Sequence, residues 1–89
     1  MSLNTTQKQD IIKQYQTGNG DTGSPEVQIA LLTSRITRLT DHLKLHAHDI
    51  HSRRGLLSMI AKRRRLIFFL TKLDKSRASS ISKKIGLKD

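Results

Sequence analysis

The most chemically suggestive run in this 89-residue chain is Lys62-Arg63-Arg64-Arg65. Four consecutive residues cover a whole helical turn, so the four cations cannot share one face. At least one must point toward a neighbouring helix, snorkel along it, or be neutralised by a bound phosphate. Arg53 and Arg54 lie two to three turns earlier and extend the run into a basic strip. The charge is lopsided along the chain. Residues 1–49 carry five basic and five acidic groups, whereas residues 50–89 carry twelve basic and two acidic, so the second part holds the entire net charge of +10. Twelve against two exceeds what solubility requires. A one-sided basic field is the footprint of a polyanion, most often nucleic acid. Arg53, Arg54, Lys62, Arg63 and Lys72 are the candidate phosphate contacts.

A second cluster runs through His42, His46, His48, Asp49, His51 and Ser52. His42 and His46 have the i, i+4 spacing that can grip zinc. No cysteine helps them, no glutamate lies between them, and nearby cations repel a metal, so no metal or cofactor is expected. Asp49 is more informative. Its plain reading is an N-cap for the helix that follows. Against phosphate a carboxylate is repulsive, but it accepts well from base amino groups. In the shallow minor groove of an RNA helix the guanine 2-amino group is the base donor on offer. Ser52 could reach a 2′-hydroxyl and His42 a base edge or sugar. The two readings of Asp49 are compatible, since a cap residue has a second oxygen free.

The stretch Thr17 to Pro25 has three glycines in nine residues and reads as a loop. Glycines let a backbone approach a phosphate or ribose closely, and backbone N–H groups at a helix start favour anions. The Asp21-Thr22-Gly23 tripeptide resembles an aspartic-protease motif, but no second copy exists; the Gly-Lys-Ser/Thr ending of a nucleotide phosphate loop is also missing. Gly55, early in a helix, suggests close packing or a close RNA backbone. Only Tyr15, Phe68 and Phe69 are aromatic. Single-strand binders offer more stacking platforms, so structured, double-helical RNA is the better partner.

Other classes fall away. With no cysteine there is no disulfide frame. No apolar run approaches the roughly 18 residues of a membrane span, and the first residues have no basic-then-apolar signal pattern. A nuclease would need clustered carboxylates for metal ions or a His pair such as His42 and His51 as acid and base. A membrane-surface peptide would not have so well patterned and nearly neutral a first long helix.

These groups need elements to hold them. Four helices are expected, over residues 4–16, 25–45, 50–73 and 78–85, in one small all-α domain. The first has Thr5 or Thr6 as cap and a thin apolar face of Ile11, Ile12 and Tyr15. Ser24, Pro25 and Glu26 announce the second. Ile29, Leu32, Ile36, Leu39 and Leu43 step along it by three and four, widened by Val27 and Leu31. Leu56, Ile60, Ile67 and Leu70 continue the pattern in the third, with Met59, Leu66 and Leu73 beside them. The short link at residues 46–49 forces the two long helices into an antiparallel hairpin. Ile81 and Ile85 form one turn of the last helix, and Gly86 suits its end.

At this point the ordered motifs are distinctive. Asp21 through Thr33 (DTGSPEVQIALLT), Asp49, His51 through Leu57 (HSRRGLL), Arg63-Arg64-Arg65-Leu66 and Ile85-Gly86-Leu87 resemble the bacterial-type small-subunit ribosomal proteins of the S-fifteen family. The resemblance covers essentially the whole chain. It implies a four-helix, non-catalytic protein that binds the central domain of small-subunit rRNA early in assembly, as a monomer within the ribosome. It implies minor-groove contacts to a G-U/G-C element at His42, Asp49 and Ser52. It implies contacts to a three-way junction at Thr22, Gly23, Gln28, Arg35, Arg64, Arg65 and the position of Phe69. Neighbouring small-subunit proteins are implied partners. A place near the subunit interface is implied too, where the hairpin tip could touch large-subunit rRNA. The implied compartment is the cytoplasmic ribosome of a bacterium or an organellar ribosome. Two departures stand out. Members usually carry Asp-Tyr where this chain has Phe68-Phe69, so stacking survives at Phe69 without the phenolic hydrogen bond. A further Tyr is usual where Ala78 stands, so looser packing of the last helix is expected.

Overall fold

The computed structural model describes residues 3–15 and 23–87. Four α-helices follow one another: α1 (Thr5–Tyr15), α2 (Pro25–Leu45), α3 (Ile50–Leu73) and α4 (Lys75–Lys84). The chain is all-α, as expected. The two long helices pair as a hairpin; α1 packs on α2 and α4 on α3.

Local chemistry sets each boundary. The first helix is capped by Asn4 rather than by Thr5 or Thr6. The Asn4 Oδ1 accepts from the Gln7 backbone N–H at 2.8 Å, and the Gln7 Oε1 accepts from the Asn4 N–H at 3.0 Å. This reciprocal box satisfies two donors at once, which a lone Thr hydroxyl cannot do. Ser24 caps α2, accepting from the Val27 N–H at 3.3 Å, with Pro25 in the first helical position. Asp74 both closes α3, its N–H donating to the Leu70 carbonyl at 2.8 Å, and caps α4, its Oδ1 accepting from Ser76 and Arg77 N–H groups. That double use starts α4 at Lys75, three residues earlier than residue 78. Gly86 ends it in the left-handed region at φ +84. Its N–H donates to the Lys83 carbonyl and that of Leu87 to the Ser82 carbonyl, the paired closure in which only glycine is unstrained.

The core lies at the end of the hairpin away from the turn. Ile29, Leu70, Ala78 and Ile81 are buried together, with Tyr15, Leu66, Ile67 and Ile85 packed against them. Leu3, just before α1, is also buried, whereas no residue within α1 is. The thin face of α1 thus docks shallowly. Ala78 is buried. Leu73, expected beside the stripe, is 60% exposed; the chain turns at Asp74 before another element can cover it. Gly55 does not mark tight packing: a Cβ there would meet Leu39 Cδ2 at 3.7 Å, an ordinary contact.

Candidate nucleic-acid interface

Helix rise alone puts the two ends of the hairpin roughly 30 Å apart, and the molecule's long dimension is 39 Å. Candidate groups gather at both ends and along the outer side of α3.

At the turn, Asp49 caps α3. Its Oδ1 accepts from the Ser52 N–H at 3.0 Å. Its Oδ2 is not left open: the Ser52 hydroxyl donates to it at 2.6 Å and His42 Nε2 reaches it at 2.9 Å. The structure therefore corrects the expectation of a free second oxygen and brings His42, Asp49 and Ser52 into one hydrogen-bonded trio. The Ser52 hydroxyl, the Ser52 N–H and then His42 hold the Asp49 carboxyl well below the usual carboxylate range. An ionised carboxylate only accepts, so His42 Nε2 is the donor of the His42–Asp49 bond. The Ser52 oxygen, its O–H directed at Asp49, can still accept, and Oδ1 keeps one further acceptor site. The trio consequently presents acceptors and suits a partner surface rich in donors. About a quarter of the His42 side chain and a third of that of Asp49 are exposed. The turn itself is held by the Asp49 N–H on the His46 carbonyl at 3.1 Å, and by the Arg53 guanidinium on the Ala47 carbonyl. The His42 and His46 rings lie against each other, centroids 4.6 Å apart; Nε2 of His42 faces Asp49 rather than His46.

At the opposite end, Gln28 Nε2 donates to the Gly23 carbonyl at 2.7 Å, fastening the last described piece of the loop to α2. Among the described residues, no atom lies within 4 Å of where a Cβ at Gly23 would stand. Thr22 lies outside the described residues. Arg35 is half-buried, and its Nε is buried without a hydrogen-bond partner among the described residues. Phe69 is exposed.

Along α3 the basic run divides as helical geometry requires. Arg63 is the member that turns inward. Its Nη1 donates to Thr33 Oγ1 on α2 at 3.1 Å, and burial lowers its pKa. Lys62, Arg64 and Arg65 are exposed, as are Arg53, Arg54 and Lys72. No acidic residue occurs anywhere in α3. Among the described residues, none of Arg54, Lys62, Arg64, Arg65 and Lys72 forms an ion pair. These cations are therefore available to an external anion.

Sequence reasoning missed one long-range pair. Glu26 does more than complement the start of α2: it is buried and accepts from Arg77 Nε and Nη2 on α4. Arg77 had been assigned to the link before the last helix, so nothing in the spacing could aim it at residue 26.

Comparison with known proteins gives the family. A model of the family described as Ribosomal protein S15 matches residues 8–88. The chain is 51% identical over 88 residues to the small ribosomal subunit protein uS15 of Pseudarthrobacter chlorophenolicus. It is 50% identical over 88 residues to that of Renibacterium salmoninarum. Each alignment covers 99% of both chains. With the family profile spanning nearly the full length and half of all positions shared, the chain belongs to the ribosomal protein S15 family and is a structural ribosomal protein, not an enzyme.

Proposed function

We propose that this protein is built into the small ribosomal subunit of a bacterium or organelle by binding the central domain of its rRNA, where it fixes the relative arrangement of RNA helices early in assembly. The observation that carries the reading is the His42–Asp49–Ser52 trio. It offers acceptors, and the minor groove of an RNA duplex offers donors: ribose 2′-hydroxyls and, at G-containing pairs, the guanine 2-amino group. A G-U/G-C element is the fitting target, because an amino group and a shaped groove are read together. At the other end Gly23, Gln28, Arg35, Arg64, Arg65 and Phe69, with Thr22, take a three-way junction. Arg53, Arg54, Lys62 and Lys72 neutralise phosphates between the two. Arg63 belongs to this set only in part, since Thr33 already engages its guanidinium.

The mechanism is conformational. Two contact sets on one stiff hairpin, roughly 30 Å apart, bind only an RNA whose junction and duplex stand in the matching orientation. Binding energy so placed shifts the RNA ensemble toward that arrangement. The protein acts as a monomer among neighbouring small-subunit proteins, and its hairpin tip touches large-subunit rRNA across the subunit interface. The test is a footprint of the purified protein on small-subunit rRNA. Protection is expected at a branched junction and, about one hairpin length away, in a minor groove containing a G-U/G-C pair. Protection scattered over unrelated duplexes would reject the reading.

A further inference from the structure

Resting on the RNA-binding reading, we propose that Phe68 is a stacking platform for one unpaired nucleobase, with that nucleotide's phosphates held by Arg65 and Lys72. Phe68 is 63% exposed on α3, where Ile50, Leu57, Phe69 and Leu73 are exposed as well. At about 100° per residue, Arg54, Ala61, Arg65, Phe68 and Lys72 fall within roughly 60° of one another. Leu66, Ile67 and Leu70, on the core side, lie opposite. Phe68 is thus the aromatic member of an outer strip that carries Arg54, Arg65 and Lys72, with Leu57 and Ala61 between them.

The neighbours of the ring identify its occupant. Lys72 stands one turn after Phe68 and keeps its ammonium 4.6 Å from the ring centroid. Arg65 stands one turn before it, and no carboxylate lies anywhere on the helix. An apolar protein surface laid on Phe68 would strip water from these cations and return nothing. A nucleotide brings a planar π-face for the ring and an anion for each cation beside it. Phe69 cannot serve the same base, since it is turned about 100° away on the helix. The low aromatic content still argues for largely double-helical RNA; a single platform suits the isolated unpaired base that junctions and bulges supply.

The experiment uses the full chain and a branched central-domain rRNA fragment at moderate salt. Phe68→Ala should weaken binding about five- to hundredfold and leave the dependence on salt concentration unchanged. Lys72→Ala should flatten that dependence. Phe68→Trp should bind as the original chain does and, because the sequence contains no other tryptophan, report directly: its emission should be quenched on adding naked RNA. All three substitutions alter an exposed side chain, so circular dichroism and the melting temperature should stay as in the unaltered chain. If Phe68→Ala binds undiminished and the F68W emission does not move, the platform does not exist. If the emission moves only when other small-subunit proteins are added, the ring packs on protein and the inference is overturned. If the unaltered chain itself fails to prefer the fragment over a random hairpin, the RNA reading falls first and this one with it.

Discussion

Arg77 on α4 grips both carboxylate oxygens of Glu26 at the start of α2, at 2.6 and 2.7 Å, across 51 residues of sequence. The pair ties the last helix to the end of the hairpin away from the turn. Glu26 is almost enclosed while Arg77 is partly open to water, so the two halves are unequal. Removing the arginine strands a buried carboxylate; removing the carboxylate leaves a cation that can still be hydrated. Arg77→Met should therefore destabilise the protein by about 1–3 kcal/mol. Glu26→Gln should cost less. Denaturant titration of both variants checks the order, and a reversed order would show that the pair is peripheral.

Asp49 should remain ionised in acid that protonates ordinary aspartates. Its carboxyl is held below 3.8 by Ser52 and then by His42. A depressed folded-state pKa means that the trio's contribution to stability is fully present above 3.8. It is lost only as the pH falls through the lower folded value. An NMR titration of the Asp49 carboxyl carbon should show a midpoint well under 3.8, and Ser52→Ala should move it upward. A midpoint at the ordinary value would mean that the trio is not formed in solution.

Asp49→Ala should separate the cap from the RNA contact. Loss of a cap costs about 1 kcal/mol of folding stability regardless of RNA. Loss of a base contact should cost about 1–3 kcal/mol of binding with cognate RNA, and little when the G-U/G-C element is replaced. Equal losses on both RNAs would leave Asp49 with the capping role alone.

Lys62 and Arg63 are adjacent in sequence but should behave differently. Lys62→Ala should weaken binding to all RNA sequences alike and reduce the salt slope by about 1, with little change in stability. Arg63→Ala should lower the melting temperature, because it removes the bridge to Thr33 on α2. Binding isotherms over a range of salt concentrations, paired with thermal melts, distinguish the two; matching profiles would put Arg63 on the open strip.

Gly55→Ala should stabilise the protein by up to about 1 kcal/mol, since alanine is the better helix former and its methyl group would meet Leu39 at ordinary distance. If RNA affinity falls while the melting temperature rises, the glycine serves the RNA backbone and not the fold.

The hairpin was legible in the sequence because its cause is local and repetitive. Ile29, Leu32, Ile36 and Leu39 recur at helical spacing, Ser24 and Asp49 are good caps, and a four-residue link leaves no other topology. The split of the basic run was legible in principle, since no helix can aim four consecutive side chains one way. Which cation turns inward was not: that depends on Thr33 being opposite Arg63, a fact of register between two helices. The trio at the turn was legible as a set of residues but not as a bonded unit. Capping chemistry names Asp49 and Ser52, yet only the turn's shape delivers His42 to the same oxygen. The Glu26–Arg77 pair and the burial of Ala78 share one cause, the early start of α4, which follows from Asp74 serving two helices at once.

That shared corner has a further consequence. With no spare residue between α3 and α4, the phase of the last helix is indexed to the one before it. Inserting or deleting a single position at the corner would rotate α4 by about 100°, swinging Arg77 off Glu26 and Ile81 out from under Leu70. The corner can accept changes of side chain but not of length: it works like a keyed coupling, whose teeth fit in one phase.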